Sequence, residues 1–345
     1  MIRVLLAEDS LTQRQLLVEI LNADPEIRVV GEAKDGAESV LLTRTLRPDV
    51  VVMDVHMPVL DGLAATKEIM VEVPTPIVLV SSSSSTLGVE LALNALRAGA
   101  LLVVEKPDKP GAPDFPVRRD QLVRMAKAMS QVKVVRHTAA QPPQAVPPPR
   151  LAAGRTPVRL VAIAASTGGP AVLQRILGDL PREFAVPVLV VQHIAAGFVQ
   201  GLADWLNQSS LHPVKVAEDG EPLRPRVVYL APDDRHPGVR APGVIELSAA
   251  PPINGFRPSG TYLFESAARL YGPALAAVIL TGMGRDGVEG LKAVRAAGGT
   301  VLAQDEASSV VFGMPGEAIT AGVVDGVLGA EQIGRHLSAL TGEGS

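Results

Sequence analysis

Apolar runs of six to eight residues recur along this chain and alternate with segments whose apolar residues fall at helical spacing. IRVLLA (2–7), RVVGEA (28–33), DVVVMD (49–54), PIVLVS (76–81) and ALLVVEK (100–106) come first. RLVAIAAS (159–166), PVLVVQH (187–193), VVYLAP (227–232), AAVILTG (276–282) and TVLAQD (300–305) follow after an interruption. Short runs rich in Val and Leu read as strands, and segments such as Leu11–Leu21 and Gly88–Ala98 read as the helices between them. A strand that is apolar on both faces must be covered on both, and alternating helices supply that cover over a parallel sheet. The pattern predicts an α/β protein with two doubly wound parallel-sheet domains, the first five-stranded and the second larger and open.

The interruption separates the two. TAAQPPQAVPPPRLAAGRTP (138–157) is dense in Pro, Ala and Gln and lacks apolar periodicity. It favours extended conformers and cannot bury enough surface to fold. The expected organisation is a first domain over 1–130, a Pro/Ala-rich linker over 131–156 and a second domain over 157–340. A length of 345 residues agrees with two cores. Those cores must be aliphatic, because 47% of the residues are hydrophobic and only 3% aromatic. The absence of cysteine excludes disulfides, thiolate metal sites and thiol nucleophiles. MIRVLLAEDS has no signal-peptide core, and no apolar run is long enough for a membrane span. The expected location is the cytoplasm, without membrane insertion. A net charge of −4 argues against a nucleic-acid partner.

In the first half, chemistry-bearing residues stand at strand ends. Glu8 and Asp9 close the first run, Asp54 the third, Ser81 the fourth and Lys106 the fifth. The carboxyl ends of the strands of an open parallel sheet line one crevice, where ligands bind. A lone acid at a strand end is ordinarily a helix cap, but four matching ends are not. Carboxylates gathered in one crevice call for a hard divalent cation, Mg²⁺, held by Glu8, Asp9 and Asp54. Lys106 and the Ser81 hydroxyl suit a phosphoryl group, and a cis bond at Pro107 would aim the lysine. This half resembles the receiver domain of two-component response regulators, through Glu8-Asp9, MDVHMPVLDG (53–62), Ser81 and Lys106-Pro107. The resemblance implies that Asp54 is the phosphoacceptor, that Ser81 and Lys106 read the acyl phosphate, and that a histidine kinase is the partner. Ser82 is a weaker candidate for the hydroxyl role. Val103 stands where many receivers carry an aromatic residue, which puts an aromatic rotamer switch in doubt.

In the second half, VAIAASTGGP (161–170) carries a strand into a turn of small residues. It is not the G-x-S-x-G elbow of α/β-hydrolases, since Ala164 holds the first Gly position. Ser166 could be a helix cap, a nucleophile or part of a phosphate cradle, and a base nearby would decide. Of the histidines, His193 ends a strand; His56 follows Asp54, His137 and His336 lie in tails, and His212 and His236 lie in polar loops. Asp286 follows AAVILTGMGR in a Gly-rich loop. Ser166, His193 and Asp286 thus stand at carboxyl ends of strands in one sheet, as a nucleophile, base and orienter require. Against this, GMGRDG (282–287) is a literal G-x-G-x-x-G, and Asp305 ends the next strand. A dinucleotide-binding oxidoreductase is therefore an alternative, although Asp286 would put a carboxylate in a pyrophosphate cradle. A non-catalytic phospho-switch that only binds a partner is another.

The second half resembles the catalytic domain of the chemotaxis protein-glutamate methylesterase family. ASTGGP (165–170), VQH (191–193), YLAP (229–232), Arg235-His236, PPIN (251–254), TGMGRDG (281–287) and GMPGEA (313–318) carry the resemblance. It implies Ser166 as nucleophile, His193 as base and Asp286 as its partner, with the backbone amides of Thr167 and Met283 as oxyanion donors and no cofactor at the ester site. The implied substrate is a methylated chemoreceptor, hydrolysed at glutamyl γ-methyl esters with glutamine deamidation as a companion activity. The implied protein is a monomer whose receiver relieves inhibition when phosphorylated. Gly255 and Phe256 depart from the more polar residues expected after Asn254.

Overall fold

The Val- and Leu-rich runs fold as the strands of two separate parallel sheets. The computed structural model describes residues 1–81, 102–107, 109–132, 156–194, 196–241 and 243–341. The expected helix Gly88–Ala98, Ser82, and linker residues 133–155 lie outside these. The chain divides into two compact units, Met1–Pro142 and Pro143–Ser345.

In the first unit β1 (Ile2–Ala7), β2 (Ile27–Ala33), β3 (Val50–Asp54), β4 (Ile77–Ser81) and β5 (Leu102–Glu105) form a parallel sheet in the order β2-β1-β3-β4-β5. The crossovers contain α1 (Leu11–Asn22), α2 (Gly36–Leu46) and α3 (Gly62–Glu72), and α4 (Phe115–Met129) follows β5. Ser10, Asp35 and Asp61 cap α1, α2 and α3, each accepting from a backbone N–H three residues on. Leu5, Val51, Met53, Ile77 and Leu79 are fully buried in this core. Each such side chain contributes on the order of 1.5–3 kcal/mol of burial, which commits the runs to the sheet.

The second unit has seven parallel strands in the order β14-β13-β12-β6-β7-β9-β8. They are β6 (Leu160–Ala165), β7 (Val188–Gln192), β8 (Val214–Val216), β9 (Val228–Leu230), β12 (Leu275–Ile279), β13 (Thr300–Gln304) and β14 (Gly326–Leu328). β10 (His236–Ala241) and β11 (Val244–Ser248) make a separate antiparallel hairpin. The helices are α5 (Gly169–Asp179), α6 (Val199–Asn207), α7 (Gly260–Tyr271), α8 (Val288–Ala296), α9 (Met314–Thr320) and α10 (Ala330–Leu340). The five runs of the sequence are five of the seven strands. β8 and β14 escape notice because charged residues and glycines break the apolar run around each, whereas β9, equally short, lies within VVYLAP.

Strand order reverses on either side of β6. The chain leaves β6 for β7 on one side and returns to β12 on the other. The carboxyl ends of β12, β6 and β7 therefore border a crevice at a switch point, the place where such sheets bind ligands.

Candidate active site and phosphorylation site

Ser166 is the first residue beyond β6. Its N–H donates to the Thr281 carbonyl at 3.0 Å, continuing the sheet pairing past the last residue of β12. Its carbonyl accepts from Gly169 N at 2.9 Å, which closes the turn into α5. Gly168 has φ 80°, a left-handed conformation that glycine takes without a steric penalty. Pro170 stands in the first turn of α5, as the sequence suggests. Gly282 faces Ser166 so closely that a Cβ on it would lie 2.6 Å from the serine Cβ. The small residues of TGMG thus make room for the serine.

His193 follows β7, and its N–H donates to the Ala165 carbonyl at 2.9 Å. Its ring Nε2 lies 3.0 Å from Asp286 Oδ2. An ionised carboxylate only accepts, so Nε2 carries the proton and Nδ1 offers a lone pair. Nδ1 is buried and has no hydrogen-bond partner among the described residues. Nδ1 is thus the nitrogen left to act as a base.

Asp286 is held by the start of α7. Oδ1 accepts from Ser259 Oγ at 2.6 Å and from Thr261 N at 3.3 Å, and Oδ2 accepts from Gly260 N at 2.6 Å. The side chain is fully buried. Burial alone would push its carboxyl up. The His193 hydrogen bond and charge, with the Ser259 and Gly260 donors, override burial and hold it below the usual carboxylate range. Ser259 is also the N-cap of α7. Thr261 Oγ1 accepts from Gly287 N at 2.9 Å and fixes the loop from the other side.

Thr167 is buried, and its carbonyl accepts from Thr281 Oγ1 at 2.9 Å. Met283 is half-buried in the loop after β12. The Gly282 carbonyl accepts from the N–H groups of Gly313 and Met314 at 3.1 and 2.9 Å, which ties this loop to the start of α9. Sequence reasoning named Ser166, Thr167, His193, Met283 and Asp286, and the fold gathers their strand ends at one crevice. It missed Ser259 and Gln192. The Gln192 amide donates to the carbonyls of both Ser166, at 2.8 Å, and His193, at 2.9 Å. Ser259 is legible as a cap before a helical pattern, whereas Gln192 looks like any strand-end amide.

The G-x-G-x-x-G reading does not fit this geometry. The Asp286 carboxylate is taken up by His193 and the α7 amides, and Asp305 Oδ1 accepts from Ser308 N and Oγ at 2.9 and 2.6 Å. Two histidine placements also need correction. His236 begins β10 and is fully buried, with Nε2 3.2 Å from the Pro251 carbonyl; it is no polar-loop residue. His336 is buried on α10 and does not lie in a tail, since that helix packs on α5. His212 does lie in a loop but is buried, its Nε2 3.0 Å from the Pro181 carbonyl.

In the first unit, Glu8 and Asp9 follow β1, Asp54 and Ser81 are the last residues of β3 and β4, and Lys106 follows β5. Lys106 Nζ bridges Glu8 Oε2 at 2.7 Å and Asp54 Oδ2 at 2.8 Å. All three side chains are buried. Burial pushes the Glu8 carboxyl up against the opposing pull of Lys106. Burial would lower Lys106, but the charges and hydrogen bonds of Asp54 and Glu8 raise it. Ser81 is buried, and its carbonyl accepts from Lys106 N at 2.9 Å. Glu8, Asp9 and Asp54 each offer a carboxylate oxygen, and those atoms lie within 4.8 Å of one another. Three hard oxygen donors suit Mg²⁺. Gly62 packs against the Asp54 carbonyl with no room for a Cβ, which explains the Asp-Gly of MPVLDG. The Lys106–Pro107 bond is trans; the cis peptide among the described residues is Arg257–Pro258. Lys106 is aimed by its two carboxylate partners. Val103 is half-buried in β5.

Residues 161–337 match the family model of the CheB methylesterase, and residues 4–112 match that of the response regulator receiver domain. The chain is 55% identical over 347 residues to protein-glutamate methylesterase/protein-glutamine glutaminase 4 of Myxococcus xanthus, covering 99% of this chain and 98% of that protein. It is 53% identical to protein-glutamate methylesterase/protein-glutamine glutaminase 3 of Anaeromyxobacter dehalogenans, covering 98% of each. The crystal structure of the Thermotoga maritima CheB methylesterase catalytic domain superposes with a TM-score of 0.52 at 42% identity, over 54% of this chain and 100% of that one. The chain belongs to the CheB methylesterase family, with a response regulator receiver domain ahead of its methylesterase domain.

Proposed function

We propose that this chain hydrolyses glutamyl γ-methyl esters of a chemoreceptor in the cytoplasm, through Ser166, His193 and Asp286. The observation that carries the reading is the Asp286–His193 pair, which leaves Nδ1 bare on a residue whose backbone N–H pairs with Ala165, the neighbour of Ser166. Ser166 Oγ attacks the ester carbonyl carbon while its proton passes to Nδ1. Asp286 fixes the tautomer and stabilises the imidazolium. Amides of Thr167 and Met283, with the N-terminus of α5, meet the developing oxyanion. The C–O bond then breaks, and methanol leaves with the proton from Nδ1. Water attacks the glutamyl ester of Ser166, gives one proton to Nδ1, and that proton returns to Ser166 Oγ. The receptor keeps a carboxylate and the second proton goes to solvent, so each turnover adds one negative charge to the receptor.

The same acyl chemistry releases ammonia from a glutamine side chain. The names of the relatives, which pair the two activities, favour this companion reaction.

Control is assigned to the first unit. A histidine kinase supplies the phosphoryl group to Asp54, and Glu8, Asp9 and Asp54 would hold Mg²⁺, which supplies charge neutralisation there. Lys106, already bonded to Asp54, is placed to pair with a phosphoryl oxygen, and Ser81 offers a hydroxyl at the neighbouring strand end. Phosphorylation relieves inhibition of the esterase, and the domains extend over 1–130 and 157–340. The protein acts as a monomer, takes no nucleic-acid partner and does not insert into the membrane; no described helix is long and apolar enough to cross one.

Methanol release from a methylated receptor fragment, with and without a small phosphodonor, tests both halves. Wild type should respond to the phosphodonor, Asp54→Ala should keep only basal release, and Ser166→Ala should release none. Undiminished release by Ser166→Ala would remove the nucleophile assignment. Saturable NAD binding that a change at Asp305 abolishes would favour the oxidoreductase instead. A folded wild type that binds the receptor fragment without releasing methanol would favour the phospho-switch.

A further inference from the structure

The imidazole of His193 lies under the ring of Phe256, with centroids 4.3 Å apart and planes 10° from parallel. Phe256 belongs to neither the nucleophile turn nor the Asp286 loop. It is delivered by a two-residue hairpin in which Ile253 and Phe256 exchange backbone hydrogen bonds of 3.0 and 2.9 Å. The turn residues Asn254 and Gly255 both have positive φ, 50° and 85°. Asn-Gly is the pair that favours this turn, because both positions must be left-handed. The next residue anchors the hairpin: Arg257 Nε donates to Asp234 Oδ1 at 2.7 Å, and Nη1 donates to the carbonyls of Ala249 and Ala250 at 3.2 and 3.0 Å. The aromatic face is therefore built into place before substrate arrives.

We infer that Phe256 is a positioning residue for the ester hydrolysis proposed above, holding the His193 ring flat and stabilising the imidazolium that forms when Ser166 gives up its proton. The inference rests on that reading of the site. Asp286 fixes one ring nitrogen, and a hydrogen bond at one atom leaves the ring free to tilt about it. A parallel aromatic face removes that freedom. The face of an aromatic ring is negative, so it attracts a cation more than a neutral ring. A base that takes up the Ser166 proton gains a positive charge as the transition state forms, so the contact strengthens as the barrier is climbed. Such an interaction raises kcat and leaves substrate binding almost unchanged.

The test compares Phe256→Leu, Phe256→Tyr and Ser166→Ala with wild type in the full-length, phosphodonor-treated protein. Methanol release gives kcat and KM, and the rate of Ser166 labelling by a small fluorophosphonate reads the nucleophile and base without receptor docking. Phe256→Leu keeps apolar bulk and loses the π face. It should lower kcat about tenfold with KM within about twofold, and slow labelling in proportion. Phe256→Tyr should return both to within about twofold of wild type. Wild-type kcat in Phe256→Leu, a loss confined to KM, or an equal loss in folded Phe256→Tyr would each overturn the inference. If Phe256→Leu does not fold, Phe256→Met carries the same comparison. Wild-type release that vanishes in Ser166→Ala upholds the hydrolase reading in the same experiment, whichever way the Phe256 variants fall.

Discussion

Asp286 shows how a single carboxylate can be both buried and ionised. Its four donors come from His193, Ser259, Gly260 and Thr261, and together they outweigh the cost of burial. A carboxyl held below its ordinary value contributes stability that is present above the ordinary range, near pH 4, and lost as pH falls through the lowered value. Asp286→Asn puts an amide N–H against one pair of those donors. Melting curves should show it less stable than wild type at pH 7 by about 3 kcal/mol. That difference should shrink as pH drops below 4; a gap that stays constant to pH 2 would contradict the lowered carboxyl. At pH 7 the same variant should lose kcat by about four orders of magnitude, because the wrong tautomer of His193 is stabilised.

At the scale of elements, the proposed ester site depends on strand ends being brought closer than side chains normally allow. β6 and β12 run side by side, and Ser166 and Gly282 meet just beyond them. A methyl group at Gly282 would collide with the Ser166 Cβ and with Met314 Sδ, both backed by buried structure. Gly282→Ala should therefore cost about 1–3 kcal/mol of stability by overpacking. It should also reduce fluorophosphonate labelling of Ser166 by at least tenfold, since a displacement of one ångström at the nucleophile is enough. Labelling at the wild-type rate would show that the loop yields without moving the serine. Gly62 obeys the same rule in the first unit, where it leaves room for the carbonyl of Asp54.

For the whole molecule, two cores joined by a Pro-rich segment imply two foldable units, and the proposed control of one by the other is tested by separating them. A chain beginning after residue 140 keeps β6, β7 and β12 and every residue assigned to the ester site. Its basal methanol release should exceed that of the unphosphorylated full chain and should not respond to a phosphodonor. Equal or lower release by the folded fragment would sink inhibition by the first unit and leave phosphorylation to act by direct activation.

The sequence by itself determined the α/β class, the parallel sheets and the strand-end residues, because burial on two faces demands long-lived patterns of Val, Leu and Ala. Glu8, Asp54, Lys106, Ser166, His193 and Asp286 were legible for the same reason: each follows an unmistakable apolar run. β8 and β14, three residues each, and the β10–β11 hairpin were not legible, since polar residues, Gly and Pro break the apolar run in or around them. Tertiary structure alone decided which nitrogen of His193 meets Asp286, that Ser259 and the α7 amides hold that carboxylate, and that Gln192 braces the backbone carbonyls of Ser166 and His193. It alone placed Phe256 over the imidazole. Hydrogen bonds and ring contacts between residues 26 to 93 positions apart depend on strand order. Local pattern fixes the strands with long apolar runs, whereas the order in which strands pair is a property of the assembled core.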